Sequence, residues 1–458
     1  MLCRVKPLGD NTVPVLVAGA GAAGLTAALA ARAAGAEVLI LEREAAPGGT
    51  TAMSQGNICG AGTASQALHG EDDSPNILYA DILAKTRGQT DPALARAIAD
   101  HAGRTIDWLV ARWDLPWELD LKFKASFGHS RRRVHSWLGR GGADMVQLFA
   151  ARALEAGCDL YPQARLSDLH LAPDGSVAAV DVTRPDGSVE TIGCGALVLA
   201  TCGFAANPAL VKAYIAEAVD AAVNTHPGAT GDGIMLGAKA GGALADMAAY
   251  QGYGMLTLGY QITTPPSVLV EGGIAVNALG ARFCDELEDI SGMVRHTLAQ
   301  PDGVAWVIYD ARIEGTCAYI PEMAQFIALG AARTGETLAD LCAATGLPEA
   351  ALAATLAACG RAPDPFGRSF AAGPPPAAPY RALKVTGALY HTQGGLQVDA
   401  QARVLRPDGT AIANLHAAGG AARGVSGPGA WGYLPAMGLG SAVTLGRLAG
   451  EAAAAQNP

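Results

Sequence analysis

Residues 13–42 constrain the fold more than any other stretch of the chain. VPVLVA (Val13–Ala18) reads as a short buried strand. It runs into GAGAAG, with Gly19, Gly21 and Gly24, and then into an Ala/Leu pattern of helical spacing that stops at Gly35. EVLILE follows as a second strand and ends on Glu42, 18 residues after Gly24. Each part has a physical task in a dinucleotide site. Gly19 permits the tight turn, Gly21 lets backbone approach a pyrophosphate, and Gly24 lets helix and strand pack closely. The helix start offers unpaired N–H groups to phosphate, and Glu42 can accept from a ribose diol. A strand, glycine turn, helix and strand with the acid at this distance predicts dinucleotide binding.

A chain of 458 residues is long enough for two lobes. Half of it is hydrophobic, yet no run of about 18 apolar residues escapes Gly or polar breaks, so no membrane span is expected. The first eleven residues, MLCRVKPLGDN, lack a secretory leader pattern. The nine cysteines are scattered, without C-x-x-C or Cys/His clusters, so a cytoplasmic, reduced, metal-free protein is expected. Cys59, Cys202 and Cys284 read as small buried thiols. The formal charge of −10, without a basic stripe, argues against nucleic acid as partner. Arg131–Arg133 reads as a solvated or interface loop, and His129 and His135 beside it as surface residues. The 58 glycines punctuate patterned strands and helices, which points to close backbone approach to a large ligand.

Several further motifs, in order, resemble the fumarate reductase/succinate dehydrogenase flavoprotein superfamily, which includes the 3-ketosteroid dehydrogenases. GGTTAMSQG (Gly48–Gly56) is similar to the loop that wraps the FAD pyrophosphate. The stretch Asp73–Leu109 is similar to a helical segment of that family. VLATCGF (Val198–Phe204) resembles its "LATGGF", ATGDGI (Ala229–Ile234) its "TGDG", and NLHAAGG (Asn414–Gly420) its "LYAAGE". The resemblance implies an α/β fold, with a Rossmann-like FAD-binding domain and an inserted α+β capping domain. The expected division is 1–242 and 366–458 for FAD binding and 243–365 for the cap, with the Pro-rich Phe370–Tyr380 as a linker. A hinged cap would keep water from the reacting centre.

The resemblance also implies which residues meet FAD. Near the first strands these are Gly19, Gly21, Ala23, Gly24, Glu42 and Arg43. In the second loop they are Gly49, Thr50, Thr51, Ser54, Gln55 and Gly56. Ala164, Thr201, Gly203 and Asp232 follow, then Gly419, Gly420, Gly440, Ser441 and Ala442. Thr50 stands where membrane-bound relatives have a flavin-linked histidine, so the FAD is expected to be non-covalent. Gly420 stands in place of an acid.

At the substrate site the resemblance is one of departures. The family's "RFMNEITTR" meets RFCDELEDI, so Ile290 replaces the proton-donating arginine. Tyr433 replaces the arginine that clamps a carboxylate, and Tyr253 in QGYGM replaces a histidine of "QFHPT". Only His391, in YHTQGG, is kept. Without arginines a dicarboxylate is a poor substrate. A phenol suits a carbonyl oxygen that becomes enolate-like. GPGAWGYLPAM (Gly427–Met437) loosely resembles a steroid-dehydrogenase loop in which a tyrosine and a backbone N–H four residues on form an oxyanion hole. That spacing pairs Tyr433 with the Met437 N–H, with Trp431 as the other aromatic near the flavin.

The expected function is an FAD-dependent desaturase of a cyclic ketone, either cyclohexanone-type, with or without a carboxylate, or a 3-ketosteroid. Tyr253 and then His391 are the candidate bases. Arg295, His296 or Arg423 would lower the tyrosine pKa or hold a substrate carboxylate. The competing readings are a soluble ene-reductase and a flavin electron-transfer protein. Oxygen, a quinone or a small electron-transfer protein remain open as electron acceptor, since no second GxGxxG follows a strand.

Overall fold

The computed structural model describes residues 12–139, 141–361 and 363–456. The N-terminal segment 1–11, and with it the leader expectation, lies outside the described residues.

The first strand, Thr12–Ala18, is the centre of an eight-stranded sheet. It pairs in parallel with Val38–Leu41 on one side and Val189–Leu199 on the other. Asp159–Tyr161 and Ala411–Ala417 extend the parallel set outward. Ala18 lies opposite both Leu41 and Leu199, Leu41 opposite Tyr161, and Leu199 opposite Ala417. The carboxyl ends of these strands therefore share one line. Every loop leaving that line opens on the same crevice, the place where open α/β sheets bind ligands. The strands are nearly continuous apolar runs because both faces are covered.

Two helices seal one face at backbone distance. Ala22–Ala33 follows the glycine turn, and Met437–Ala455 closes the chain. A side chain at Gly446 would run into the Ala23 carbonyl, and one at Gly450 into the Ala27 carbonyl. Gly24 lies against the Gly19 carbonyl in the same way, and Gly19 itself has φ +109°. The C-terminal helix is thereby fixed along its length, and its first turn is presented to the crevice.

A second, seven-stranded sheet forms the other lobe, in the order Ile262–Thr263, Tyr250–Thr257, Tyr380–Thr392, Val304–Asp310, Ile274–Val276. Tyr380–Thr392 is its central strand. The expected boundary at 366 assigns that strand to the nucleotide lobe, while its pairing partners are Tyr250–Thr257 and Val304–Asp310. The Pro-rich segment Phe370–Tyr380 leads directly into this strand. Gln251 faces His391 across the pairing of Tyr250–Thr257 with this strand. Among the described residues, no helix is long and apolar enough to cross a membrane.

Within the basic run Arg132 is exposed and Arg131 half-buried, as expected of a solvated loop, but Arg133 is not. The Arg133 side chain is fully buried and pairs with Asp73 at 3.0 Å and Asp81 at 2.7 Å. His135 is buried, with Nε2 2.8 Å from Thr63 Oγ1 and Nδ1 3.0 Å from the Arg133 carbonyl. His129 is buried and reaches the Pro435 carbonyl at 2.9 Å. Arg133 and the two histidines point inward while Gly128, Ser130 and Arg132 stay exposed, and a buried charge such as that of Arg133 survives only if paired.

Replacing Arg133 by Met leaves two buried carboxylates without their cation. It is expected to cost about 3–5 kcal/mol, read as a lower midpoint in urea unfolding. Stability should also follow histidine titration. Burial lowers His129, His135, His391 and His416 from 6.5 to about 4. The unfolded chain then binds more protons than the native one between these values. Their contribution is complete above pH 6.5 and is lost as pH falls toward 4. Urea midpoints are expected to be flat above about pH 7 and to decline steadily below it.

Candidate functional site

One continuous cavity of about 760 Å³ runs from the glycine turn into the cap. Its nucleotide end is walled largely by backbone. Gly19–Ala23, Gly48, Gly49, Gly419 and Gly420 line it, and the first turn of Ala22–Ala33 carries no acidic residue. Thr51 Oγ1 accepts from the Ala22 N–H at 3.0 Å and fixes the second loop against that turn. The Glu42 carboxylate accepts from Ala20 N–H and Glu44 N–H, both at 2.9 Å, and keeps lone pairs facing the cavity. Such a lining fits FAD. Helix-start N–H groups can hold phosphate, Glu42 a ribose, and the glycine walls admit a flat ring system.

Most residues expected at the cofactor line this cavity: Gly19, Gly21, Ala23, Glu42, Arg43, Gly49, Thr50, Thr51, Ser54, Gln55, Ala164, Thr201, Asp232, Gly419, Gly420, Ser441 and Ala442. Four glycines do not, because they make room between protein segments instead. Gly24 meets the Gly19 carbonyl, Gly56 meets Trp137, Gly203 meets Thr392, and Gly440 meets Cys59. A Cβ at Gly420 would strike the Gly203 nitrogen, so the chain as it stands has no room for the family's acid there. Thr50 Oγ1 lies 3.2 Å from Cys202 Sγ. Cys59 and Cys284 are buried thiols, and Cys202 is half-buried.

At the cap end the cavity is lined by Tyr253, Ile290, Tyr390, His391 and Tyr433. Tyr433 is buried, and burial raises its pKa far above the usual phenol value, opposed by a hydrogen bond from the Gly438 N–H. The hydroxyl is therefore a protonated donor. His391 lies beside it, with ring centroids 5.7 Å apart. Its Nδ1 accepts from Gln393 Nε2 at 2.9 Å, and Gln393 Oε1 accepts from Ser426 Oγ at 3.1 Å. That chain leaves the proton on Nε2, and burial holds the ring neutral with a pKa near 4. Both donors lie against one residue. A methyl group on Gly438 would sit 3.0 Å from His391 Nε2 and 3.3 Å from the Tyr433 hydroxyl.

Several expectations change here. The Met437 N–H bonds to the Leu434 carbonyl at 3.1 Å and is not available to a ligand. Ala436, in the left-handed region at φ 62°, turns the chain so that Gly438 supplies the donor beside Tyr433. Tyr253 is a poor base. Burial, then the Tyr390 phenol, pushes its pKa well above normal, and its hydroxyl has no partner among the described residues. None of the expected cations lines the cavity. Arg423 pairs with Asp246 at 2.6 Å and Asp91 at 3.0 Å. Arg295 lies near Asp289 and Tyr250, and His296 is exposed. Trp431 lies outside the cavity, with the Arg87 guanidinium 4.7 Å from its ring centroid.

Three contributors were missed. Tyr390 adjoins His391 in YHTQGG and bonds Thr263 Oγ1 at 2.5 Å, with its pKa raised to about 12 by burial. Gln393 is in the same motif, so adjacency was the available signal. Glu322, at the start of helix Pro321–Leu329, had none.

The sequence profile of the FAD binding domain family matches residues 14–432. The chain belongs to that family. A fumarate reductase (cytochrome) of Shewanella frigidimarina is 30% identical over 452 residues, covering 97% of this chain and 77% of that protein. A flavocytochrome c3 fumarate reductase in its open conformation superposes with a TM-score of 0.81 at 28% identity, covering 98% of this chain and 79% of the other. The 3-ketosteroid-Δ4-(5α)-dehydrogenase of Rhodococcus jostii RHA1 gives 0.77 at 26% identity, covering 97% of each. The FAD-binding-domain protein is an FAD-dependent oxidoreductase acting on CH–CH groups.

With Thr50 hydroxyl-bonded to a thiol, the flavin is expected to be non-covalent. Acid precipitation of the yellow holoprotein should leave the colour in the supernatant, and a coloured pellet would contradict this.

Proposed function

We propose that the protein is a desaturase of a cyclic ketone, exchanging hydrogen across the carbon–carbon bond next to the carbonyl. The observation that carries the reading is the pair of neutral donors Tyr433 and His391, converging beside Gly438. A carbonyl oxygen placed between them gains two hydrogen bonds that strengthen as it acquires enolate charge. Burial keeps the phenol protonated, and Gln393 keeps the imidazole proton on Nε2, so neither donor must reorganise. Bound FAD would take the β-hydride, and the α-proton would pass to the Tyr253 oxygen, whose raised pKa makes the accepting phenolate scarce and the proton step slow. The cap walls, including Ile290, Ile262 and Ile320, exclude water from the reacting carbons. A dicarboxylate lacks any arginine at this end of the cavity, whereas a ketone needs none. The likeness to a ketosteroid dehydrogenase supports a ring ketone, cyclohexanone-type or steroid.

One observation favours the reverse direction as a second reading. Tyr253 lines the same cavity, and its hydroxyl is buried without a partner among the described residues, in surroundings that oppose its ionisation. Such a group delivers a proton more readily than it removes one. With the carbonyl held by Tyr433 and His391, Tyr253 would protonate the α-carbon in ene-reduction. The fumarate reductase relative supports that direction.

Anaerobic mixing of the oxidised protein with saturated ketones, watching the flavin band, tests the first reading. Bleaching by one ring class, reduced about 10²–10³-fold in Tyr433→Phe, is the expected result. Reoxidation of the dithionite-reduced protein by enones, without bleaching by any saturated ketone, selects the second. Activity with succinate or fumarate alone overturns both.

A further inference from the structure

The cap end of the cavity holds a carboxylate without a cation. Glu322 lines the cavity, and its Oε1 accepts from Gln55 Nε2 at 2.6 Å. Its Oε2 is buried and has no partner among the described residues. Arg43 and Arg165 are the arginines lining the cavity, with no lysine beside them, among the described residues. Both are engaged at the nucleotide end. Arg43 reaches Glu44 at 3.2 Å and the Gly228 carbonyl at 3.1 Å, and Arg165 reaches Asp232 at 3.0 Å. The Tyr390 phenol lies close enough to feel the charge of Glu322, and both line the cavity.

A carboxylate oxygen taken out of water without a partner is destabilising, and a cation that pairs with it removes that cost. Gln55 satisfies one oxygen and holds the group in place, leaving the other free. We infer that the substrate carries a basic nitrogen, a protonated amine, accepted by Glu322 Oε2. The inference rests on the ketone reading for the rest of the substrate. It inverts the charge logic of an arginine-clamped site. A carboxylate on the substrate would meet the charge of Glu322, and an ammonium group would neutralise it.

The test uses oxidised holoenzyme and three ring-matched cyclohexanones, bearing an aminomethyl, an ethyl or a carboxylate group. Dissociation constants come from perturbation of the flavin band. The amine is expected to bind about tenfold or more tighter than the ethyl ketone, with the carboxylate weakest. In Glu322→Gln that ratio should collapse toward one, and in Glu322→Asp the preference for the amine should keep its sign. Equal binding of amine and ethyl ketone, or an unchanged ratio in Glu322→Gln, overturns the inference. If Glu322→Gln fails to retain flavin, the native series and Glu322→Asp decide it in the same way. Turnover is read separately. Preferential amine binding with no bleaching or reoxidation by any ketone or enone keeps the cation site and removes the ketone reading. Turnover without amine preference does the reverse.

Discussion

Backbone-to-backbone packing of the two glycine-bearing helices is the constraint on which the site depends. Gly446 and Gly450 let the C-terminal helix lie on the carbonyls of Ala23 and Ala27. The helix that follows the glycine turn thereby fixes the one that begins at Met437. Nucleotide end and reaction end are set by the same contact, although they come from opposite ends of the sequence. A methyl group at either glycine would lift the C-terminal helix, and with it Gly438, from the cavity wall. Overpacking of this kind costs about 1–3 kcal/mol in a well-packed core.

The second organising feature is electrostatic. At the cap end burial keeps four groups neutral: the phenols of Tyr253, Tyr390 and Tyr433 by raising their pKa and the imidazole of His391 by lowering its own. A low dielectric strengthens hydrogen bonds to any oxygen that gains charge there. His129 extends the arrangement outward, since its bond to the Pro435 carbonyl tethers the loop between Tyr433 and Gly438. A segment read as surface thus supports the donors from behind.

What the sequence revealed was local. Strand, glycine turn, helix and acid lie within residues 13–42, and each is specified by its neighbours, so fold and cofactor were legible there. The loop around Tyr433 was legible as to residue type and not as to geometry, because Ala436 takes the left-handed region, the Met437 N–H is spent on the Leu434 carbonyl, and the Gly438 N–H is the one that meets the Tyr433 hydroxyl. Spacing counts residues and does not see such a turn. Arg133 was misplaced because its partners, Asp73 and Asp81, are remote in sequence. Glu322 stood in an Ala-rich stretch resembling any solvated helix start. The strand Tyr380–Thr392 was hidden by the prolines before it, which mark entry to a sheet as readily as a linker.

Cys202 has a consequence for how this chain can vary. It holds φ +69° at a position where the family pattern has glycine, and its thiol meets Thr50, which stands where some relatives carry histidine. The strained backbone gives the sulfur no easy retreat. A bulky ring at 50 would press on it, and a glycine at 202 would leave the threonine hydroxyl without its neighbour. The two departures are in direct contact, so a change at either alters the surroundings of the other. Whatever size is added at 50 must be given up at 202, because the contact leaves no slack between them.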